Sequence, residues 1–370
     1  MKVVLSAEAM QPPLTGVGYY TLNLLRALAD IRDAQVSYTH NLILRGADGG
    51  LPEPIDQRQW PVRWMPRSVQ RSFERLLIRH MACDVVHGTN FRYISSAGVG
   101  VVTVHDLALL RFSELVSPKN RRDRERELRT ALEQADLIIT PSEAIRSELI
   151  SGGLRGPSDV VCTPLGVTPD FRPIGEDGAK PVLQARQLSY KKFALAVGTI
   201  EPRKNLLRLI AAYGALPASL RRVSPLVVCG KPGWLSDETF AAIRAAESEG
   251  WLRYIGYASK DELKVLTASA KLAIQASLYE GFCLPLLEAM ACGTRVLASN
   301  DPALVELAGS DYAILPPYDA VAMTVMLEHA LQDREVDQEK TIRAQSMTWD
   351  RCARITYSAY ANAVGLKNRG

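Results

Sequence analysis

The chain is 370 residues long, 47% hydrophobic and 7% aromatic, with a formal net charge of +4 at pH 7. That length and apolar content suffice for a large core, most often split into two domains, and the mild charge argues against a nucleic-acid partner. No run approaches the roughly 20 apolar residues of a spanning helix, the start MKVVLSAEA is too soon polar for a secretory leader, and the scattered Cys83, Cys162, Cys229, Cys283, Cys292 and Cys352 form no C-x-x-C pair and read as reduced thiols of a cytoplasmic protein.

The first half opens with the strand KVVLS. PPLTGVGYYTLNLLRAL follows, where Gly16 and Gly18 would let backbone approach a phosphate at the start of an amphipathic helix. It is not a dinucleotide fingerprint, because Thr21 stands where G-x-G-x-x-G needs its third glycine. NLILR reads as a strand, and RSVQRSFERLLIRH places Arg67, Arg71, Arg75 and Arg79 on one helical stripe. DVVHG and VGVVTVH are buried strands. His105 and Asp106 end the second of these, where His105 could hydrogen-bond a sugar hydroxyl and Asp106 could orient its ring; a histidine that merely caps a strand is the plain alternative. In PKNRRDRERELR, residues 118–129, basic residues outnumber acidic ones. This is either a solvated face of Glu/Arg pairs or a surface for anionic lipid headgroups. DLIIT and DVVCTPLGV complete the first set of strands.

Phe171 to Lys192 begins rich in Pro and Gly and reads as an interdomain linker. The second set of strands is FALAVGT, PLVVCG, LRYIGY, KLAIQAS, TRVLAS and YAILP. Short, doubly apolar strands alternating with helical patterns predict two doubly wound parallel α/β domains with a cleft between them. In GTIEPRKNL, Arg203 and Lys204 stand at a strand end and a helix start, suited to neutralise a diphosphate. LYEGFCLPLLEAMACG carries Glu280 at a strand end and Glu288 about one turn into a helix that Pro285 opens and Gly293 closes. Free N–H groups between Gly281 and Leu287 could point at an anion, with a carboxylate on either side for sugar hydroxyls. Either these glutamates face water, or a ligand supplies their partners. No D-x-D motif appears, so no metal cofactor is expected. In the last segment, Trp349, Ala353, Tyr357, Tyr360 and Val364 have helical spacing and suggest a helix crossing back onto the first domain.

EGFCLPLLEAMACG, GTIEPRKN, TGVGYY, VHDL and TPSEA, in this order over nearly the whole chain, resemble glycosyltransferase family 4, the retaining enzymes of GT-B fold. The resemblance implies an N-terminal acceptor domain over 1–172, a nucleotide-sugar domain over 190–348 and a returning helix over 349–370. It implies that Glu288 holds the ribose and that Glu280 touches the hexose, with Gly281 and Phe282 offering backbone contacts. Arg203 and Lys204 would bind the diphosphate with the backbone near Leu284, Gly16 and Gly18. The base would pack around Tyr254 to Gly256, at Ile255, and His105 would contact the hexose. The family commonly has glycine at the position of Cys283, so a positive φ there would strain this chain. The implied reaction is same-face transfer of a hexose, with the departing phosphate taking the acceptor's proton. The implied partners are a nucleotide diphosphate sugar and a glycan or polyprenyl-diphosphate-linked acceptor; such an acceptor would give both basic stripes, otherwise solvated helix faces, a use in peripheral contact with the inner face of an anionic membrane. VHDLALLRFSELVSP is similar to bacterial mannosyl- and rhamnosyltransferases, which points to GDP-mannose; a UDP-sugar donor or a nucleotide-sugar epimerase is the alternative. A phosphorylase would need a pyridoxal lysine that is not found, a scaffold has no need of this charged set, and a dehydrogenase lacks its glycine fingerprint.

Overall fold

A computed structural model describes residues 1–40, 43–46, 69, 72, 76, 78, 82–115, 121–309, 314–333 and 338–369. Arg67, Arg71, Arg75 and Arg79, with the start of the 118–129 segment, lie outside the described residues. The chain forms two compact units. The first comprises Met1–Leu107, Asn120–Gly166 and Thr348–Gly370, and the second Ala108–Lys119 and Val167–Met347.

The first unit holds a seven-stranded sheet. Its strands are β1 (Lys2–Ser6), β2 (Gln35–His40), β3 (Ile43–Gly46), β4 (Val85–Gly88), β5 (Val99–Thr103), β6 (Leu137–Thr140) and β7 (Val160–Cys162). They lie in the order β3-β2-β1-β4-β5-β6-β7, parallel except where β3 runs against β2. β2 escapes the apolar-run criterion because QVSYTH alternates polar and apolar residues, yet Val36 and Tyr38 are buried. The helix Gly16–Ala29 buries Leu24, Leu25 and Leu28. The C-terminal helix Trp349–Lys367 buries Trp349, Cys352, Ala353, Thr356, Ala359 and Tyr360 in this same unit. Gly166 admits its start, since a Cβ there would lie 2.1 Å from the backbone nitrogen of Trp349.

The second unit holds six parallel strands: β8 (Ala194–Val197), β9 (Leu226–Cys229), β10 (Leu252–Gly256), β11 (Leu272–Gln275), β12 (Arg295–Ser299) and β13 (Ile314–Leu315). Alternate residues serve opposite faces, as the pleat requires. Phe193, Leu195 and Val227 pack with Ala179 and Leu266. Ala194, Ala196, Val228 and Ile274 pack on the other side with Leu209, Tyr213 and Leu327. The order β10-β9-β8-β11-β12-β13 reverses between β8 and β11. The carboxyl ends of strands at such a reversal are where open α/β sheets bind ligands. The linker reading needs amendment, because the helix Glu176–Ala185 lies within that segment and buries Ala179 and Leu183. Pro181 inside it and the glycines around it mask its periodicity.

Candidate functional site

Arg203 and Lys204 follow β8, and Glu280 follows β11, so the reversal of strand order brings them together. Glu280 is buried. Its carboxylate accepts from Lys204 Nζ at 2.5 Å, Arg203 Nη1 at 3.0 Å and Ser277 Oγ at 2.6 Å. Burial alone would raise its pKa, but Lys204, Arg203 and these hydrogen bonds outweigh it and hold the group at about 2. Arg203 also donates to the Tyr279 carbonyl at 2.7 Å and to Glu201 at 2.8 Å. Glu201 is itself buried, and burial pushes its carboxyl up despite Arg203 and Lys204. Two cations therefore already face two carboxylates. The anion-binding capacity expected of Arg203 and Lys204 is thus partly used inside the protein. Lys204 bonds Glu280 alone among the described residues, which leaves two of its three N–H donors for a ligand.

The local backbone is built for this arrangement. The short 3₁₀ turn Pro202–Lys204 ends at Asn205 in the left-handed region, with φ 56°. Asn205 is tied down through its Nδ2 to the carbonyls of Ala276 and Pro317. Gly230 permits the loops after β8 and β9 to cross, since a Cβ there would sit 1.7 Å from the Gly198 carbonyl oxygen.

The helix Leu284–Ala291 starts at Cys283, whose φ is 81° and ψ 78°. The strain anticipated at this position is present in a buried residue. Of the amides expected to face an anion, those of Leu286 and Leu287 bond the Cys283 carbonyl, and Pro285 has none. The amide of Leu284 has no partner among the described residues and remains a donor at the helix start. Glu288 lies one turn on and is half-buried. Its carboxylate has no hydrogen-bond partner among the described residues, and burial pushes its pKa up to about 7. A carboxylate in that condition gains from any hydroxyl that reaches it.

Two residues that the sequence reading passed over complete this site. Glu201 stands in the same GTIEPRKNL stretch and gives Arg203 its second anchor. Asp301 accepts from the backbone N–H of Glu280 at 3.2 Å and caps the helix Pro302–Ala308 through Ala303 and Leu304. Burial raises its pKa to about 6. The Asp-Pro dipeptide at 301–302 was a readable helix-start signal, but nothing local tells that its second oxygen serves Glu280.

Ile255 packs its side chain against the core beside Phe193 and Val227. Gly256, with φ 66°, follows it, and its carbonyl accepts from Gly230 N. Gly281 and Phe282 lie between Glu280 and the helix start, and both are buried.

The remaining candidates belong to the first unit. Gly16 opens the helix Gly16–Ala29 with open space where a Cβ would point. Gly18 has a structural reason of its own: a Cβ would come within 2.8 Å of the Ala9 carbonyl oxygen. His105 is half-buried, and its Nε2 donates to the Thr89 carbonyl at 2.8 Å. Burial lowers its pKa, against the pull of that bond and of Asp106. The hydrogen bond that orients the ring thus runs to the Thr89 carbonyl.

A family model described as Glycosyl transferases group 1 matches residues 184–347, and one described as Glycosyltransferase Family 4 matches residues 14–171. The O-antigen chain mannosyltransferase B of Escherichia coli is 33% identical over 380 residues, covering 97% of this chain and 99% of that one. Among solved structures, a sucrose-phosphate synthase from Thermosynechococcus elongatus superposes with a TM-score of 0.76 at 18% identity, over 99% of this chain and 100% of that one. WaaG, a glycosyltransferase involved in lipopolysaccharide biosynthesis, superposes with a TM-score of 0.69 at 16% identity, over 98% and 99%. Two parallel sheets of this topology, matched family models over both units and a relative alike from end to end place the chain in glycosyltransferase family 4, as a glycosyltransferase of GT-B fold.

Proposed function

We propose that the chain is a retaining mannosyltransferase that takes mannose from GDP-mannose and adds it to a growing O-antigen glycan. The observation that carries this is the paired site at the ends of β8 and β11 in a chain 33% identical, over 97% of its length, to an O-antigen chain mannosyltransferase. In this reading Glu288 accepts the ribose hydroxyls, which suits a half-buried carboxylate with no hydrogen-bond partner among the described residues. The free donors of Lys204 and the Leu284 amide take the diphosphate, and Glu280 orients the hexose. The Glu280 carboxylate is engaged by Lys204, Arg203 and Ser277, which makes it a poor nucleophile, so in this reading the acceptor hydroxyl attacks from the face the phosphate leaves. The departing phosphate oxygen takes the acceptor's proton, and Lys204 with the helix start carries the charge that develops. His105 meets a hexose hydroxyl. The acceptor is a glycan on a polyprenyl diphosphate, and the enzyme works at an anionic membrane surface from the side where nucleotide sugars are made.

A panel of GDP-mannose, GDP-fucose, UDP-glucose and UDP-galactose, scored by melting shift and by donor hydrolysis with and without chelator, tests the reading. GDP-mannose is expected to stabilise most and to turn over in chelator. The largest shift with a UDP-sugar, or complete loss of turnover in chelator that manganese restores, would overturn it.

A further inference from the structure

The first unit contains a chain of buried polar side chains that the chemistry above does not use. Tyr360 OH lies 2.5 Å from His87 Nδ1, His87 Nε2 lies 2.7 Å from Thr103 Oγ1, and Thr103 Oγ1 lies 2.8 Å from Tyr20 OH. All four residues are buried essentially completely. Such a network is costly unless every member is satisfied, so it holds its parts rigidly. Burial drives the His87 pKa down to about 3. Its ring is therefore neutral, with one nitrogen donating and the other accepting, and it links the C-terminal helix to β5.

The network ends on His105. The Tyr20 ring meets the His105 ring edge to face, with centroids 4.8 Å apart and planes at 85°. The hydroxyl of the next residue of the same helix, Thr21, shares its one proton between the Val17 carbonyl at 2.9 Å and Thr89 Oγ1 at 3.0 Å, and Thr89 Oγ1 donates to the Ser6 carbonyl at 2.8 Å. Thr89 is the residue whose carbonyl accepts from His105 Nε2. Two successive residues of one helix thus fix the imidazole, Tyr20 through its ring and Thr21 through the owner of its acceptor. Because a carbonyl only accepts, Nε2 carries the proton. In the neutral ring Nδ1 is then an acceptor, and it has no partner among the described residues.

We propose that Tyr20 is a positioning residue, braced from the C-terminal helix through Thr103, His87 and Tyr360, that holds His105 as its Nε2–H tautomer so that Nδ1 accepts a hydrogen bond from a hydroxyl of the bound sugar. The last clause rests on the reading of His105 as facing the hexose; the tautomer and the bracing do not.

The test uses the full chain with 15N-labelled histidine. It holds five histidines, few enough to assign one by one with His87→Asn and His105→Ala. The expected spectrum shows His105 neutral near pH 7, protonated at Nε2 and bare at Nδ1. Tyr20→Phe keeps the ring contact and cuts the tether. It is expected to mix the His105 tautomers and to lower kcat about 2–10-fold, the factor one hydrogen bond is worth, with the donor KM within about twofold. Tyr360→Phe should do the same, and the double variant should fall no further than either alone, because both cut one chain. Tyr20→Leu removes ring and tether and should move the imidazole pKa towards its ordinary value. A His105 spectrum and pKa unchanged in folded Tyr20→Phe and Tyr20→Leu would overturn the proposal, whatever the activity. If those spectra change while His105→Ala turns over at the wild-type rate, the bracing stands and the sugar-facing role of His105 fails.

Discussion

Glu288 is a carboxylate with no hydrogen-bond partner among the described residues, and Lys260 is the one charge that favours its ionised form. Its folded pKa of about 7 lies above the ordinary 4.5 because burial disfavours the charge. Between those values the folded chain holds a proton that the unfolded chain has lost. The stabilisation is therefore fully present below about pH 4.5 and is lost as pH rises through about 7. Compared with Glu288→Gln, which does not titrate, the wild type is expected to lose about 1–2 kcal/mol of stability between about pH 5.5 and about pH 8. If Glu288 accepts the ribose hydroxyls as proposed, they favour the ionised form, and donor binding should release a proton near neutrality. Calorimetry in buffers of different ionisation enthalpy reads that proton, and Glu288→Gln should abolish it. A wild type and Gln variant with parallel stability profiles would refute the shifted group. Cys283 gives a second test at this scale. Its φ of 81° suits glycine, and a side chain there costs about 1–2 kcal/mol. Cys283→Gly relieves that strain at the loss of a small buried group, so its melting temperature should stay near the wild type's. Cys283→Val, similar in size but β-branched, should lose about 1–3 kcal/mol. Equal stability of the two variants would show that the backbone is not what constrains this position.

At the level of elements, the helix Arg121–Gln134 is where the membrane reading meets the solvated-face reading. Arg129 pairs with Glu125 one turn back at 2.9 Å, and Arg124 lies over the Phe91 ring at 5.6 Å. Arg122 and Arg126 are exposed, and no described helix is long and apolar enough to cross a membrane. If this helix meets anionic lipid, sedimentation with vesicles should rise with anionic fraction and fall with salt. Changing Arg122 and Arg126 to glutamine should then weaken it about tenfold or more, at roughly 1 kcal/mol for each charge. Unchanged sedimentation would leave the helix as a solvated face. Elements were also what the sequence showed best. The apolar runs gave β1, β4 and β5, the strands of the second unit, and the ligand end of β8 and β11, because buried parallel strands are apolar on both faces. β2 was missed for its polar alternation, and the helix Glu176–Ala185 for its proline. At the site, Arg203, Lys204, Glu280 and Glu288 were legible as charges at strand and helix ends. That Glu280 already holds both cations was not, since it depends on β8 and β11 becoming neighbours across about 75 residues of chain, a contact no local pattern encodes. The bond from the Glu280 amide to Asp301, and the contact of Tyr20 with His105, were illegible because they too join segments apart in the chain.

For the whole molecule, the order of the chain and the order of the units differ. The second unit holds Val167–Met347 in one run, while the first is completed only by Thr348–Gly370. That last segment supplies buried Trp349, Cys352, Ala353, Ala359 and Tyr360 to the first unit. It also supplies the Tyr360 bond to His87, and hydrogen bonds from Tyr357 to the Asp33 carbonyl and from Lys367 to the Gly98 carbonyl. Removing it would strip the first unit of several large core side chains, each worth about 2–5 kcal/mol, and leave His87 short of a partner. A typical domain is stable by only about 5–15 kcal/mol. A chain ending at Met347 is therefore expected to unfold in the first unit while the second stays folded, because Glu280, Glu288, Arg203, Lys204 and their supports all lie in the second. Calorimetry should show one transition lost and one retained, and the retained one should still rise with GDP. Turnover should vanish. Limited proteolysis should cut first within residues 1–107 and spare 167–347. A truncated chain that keeps both transitions, or that loses both together, would show that the two units do not draw their stability from separate cores.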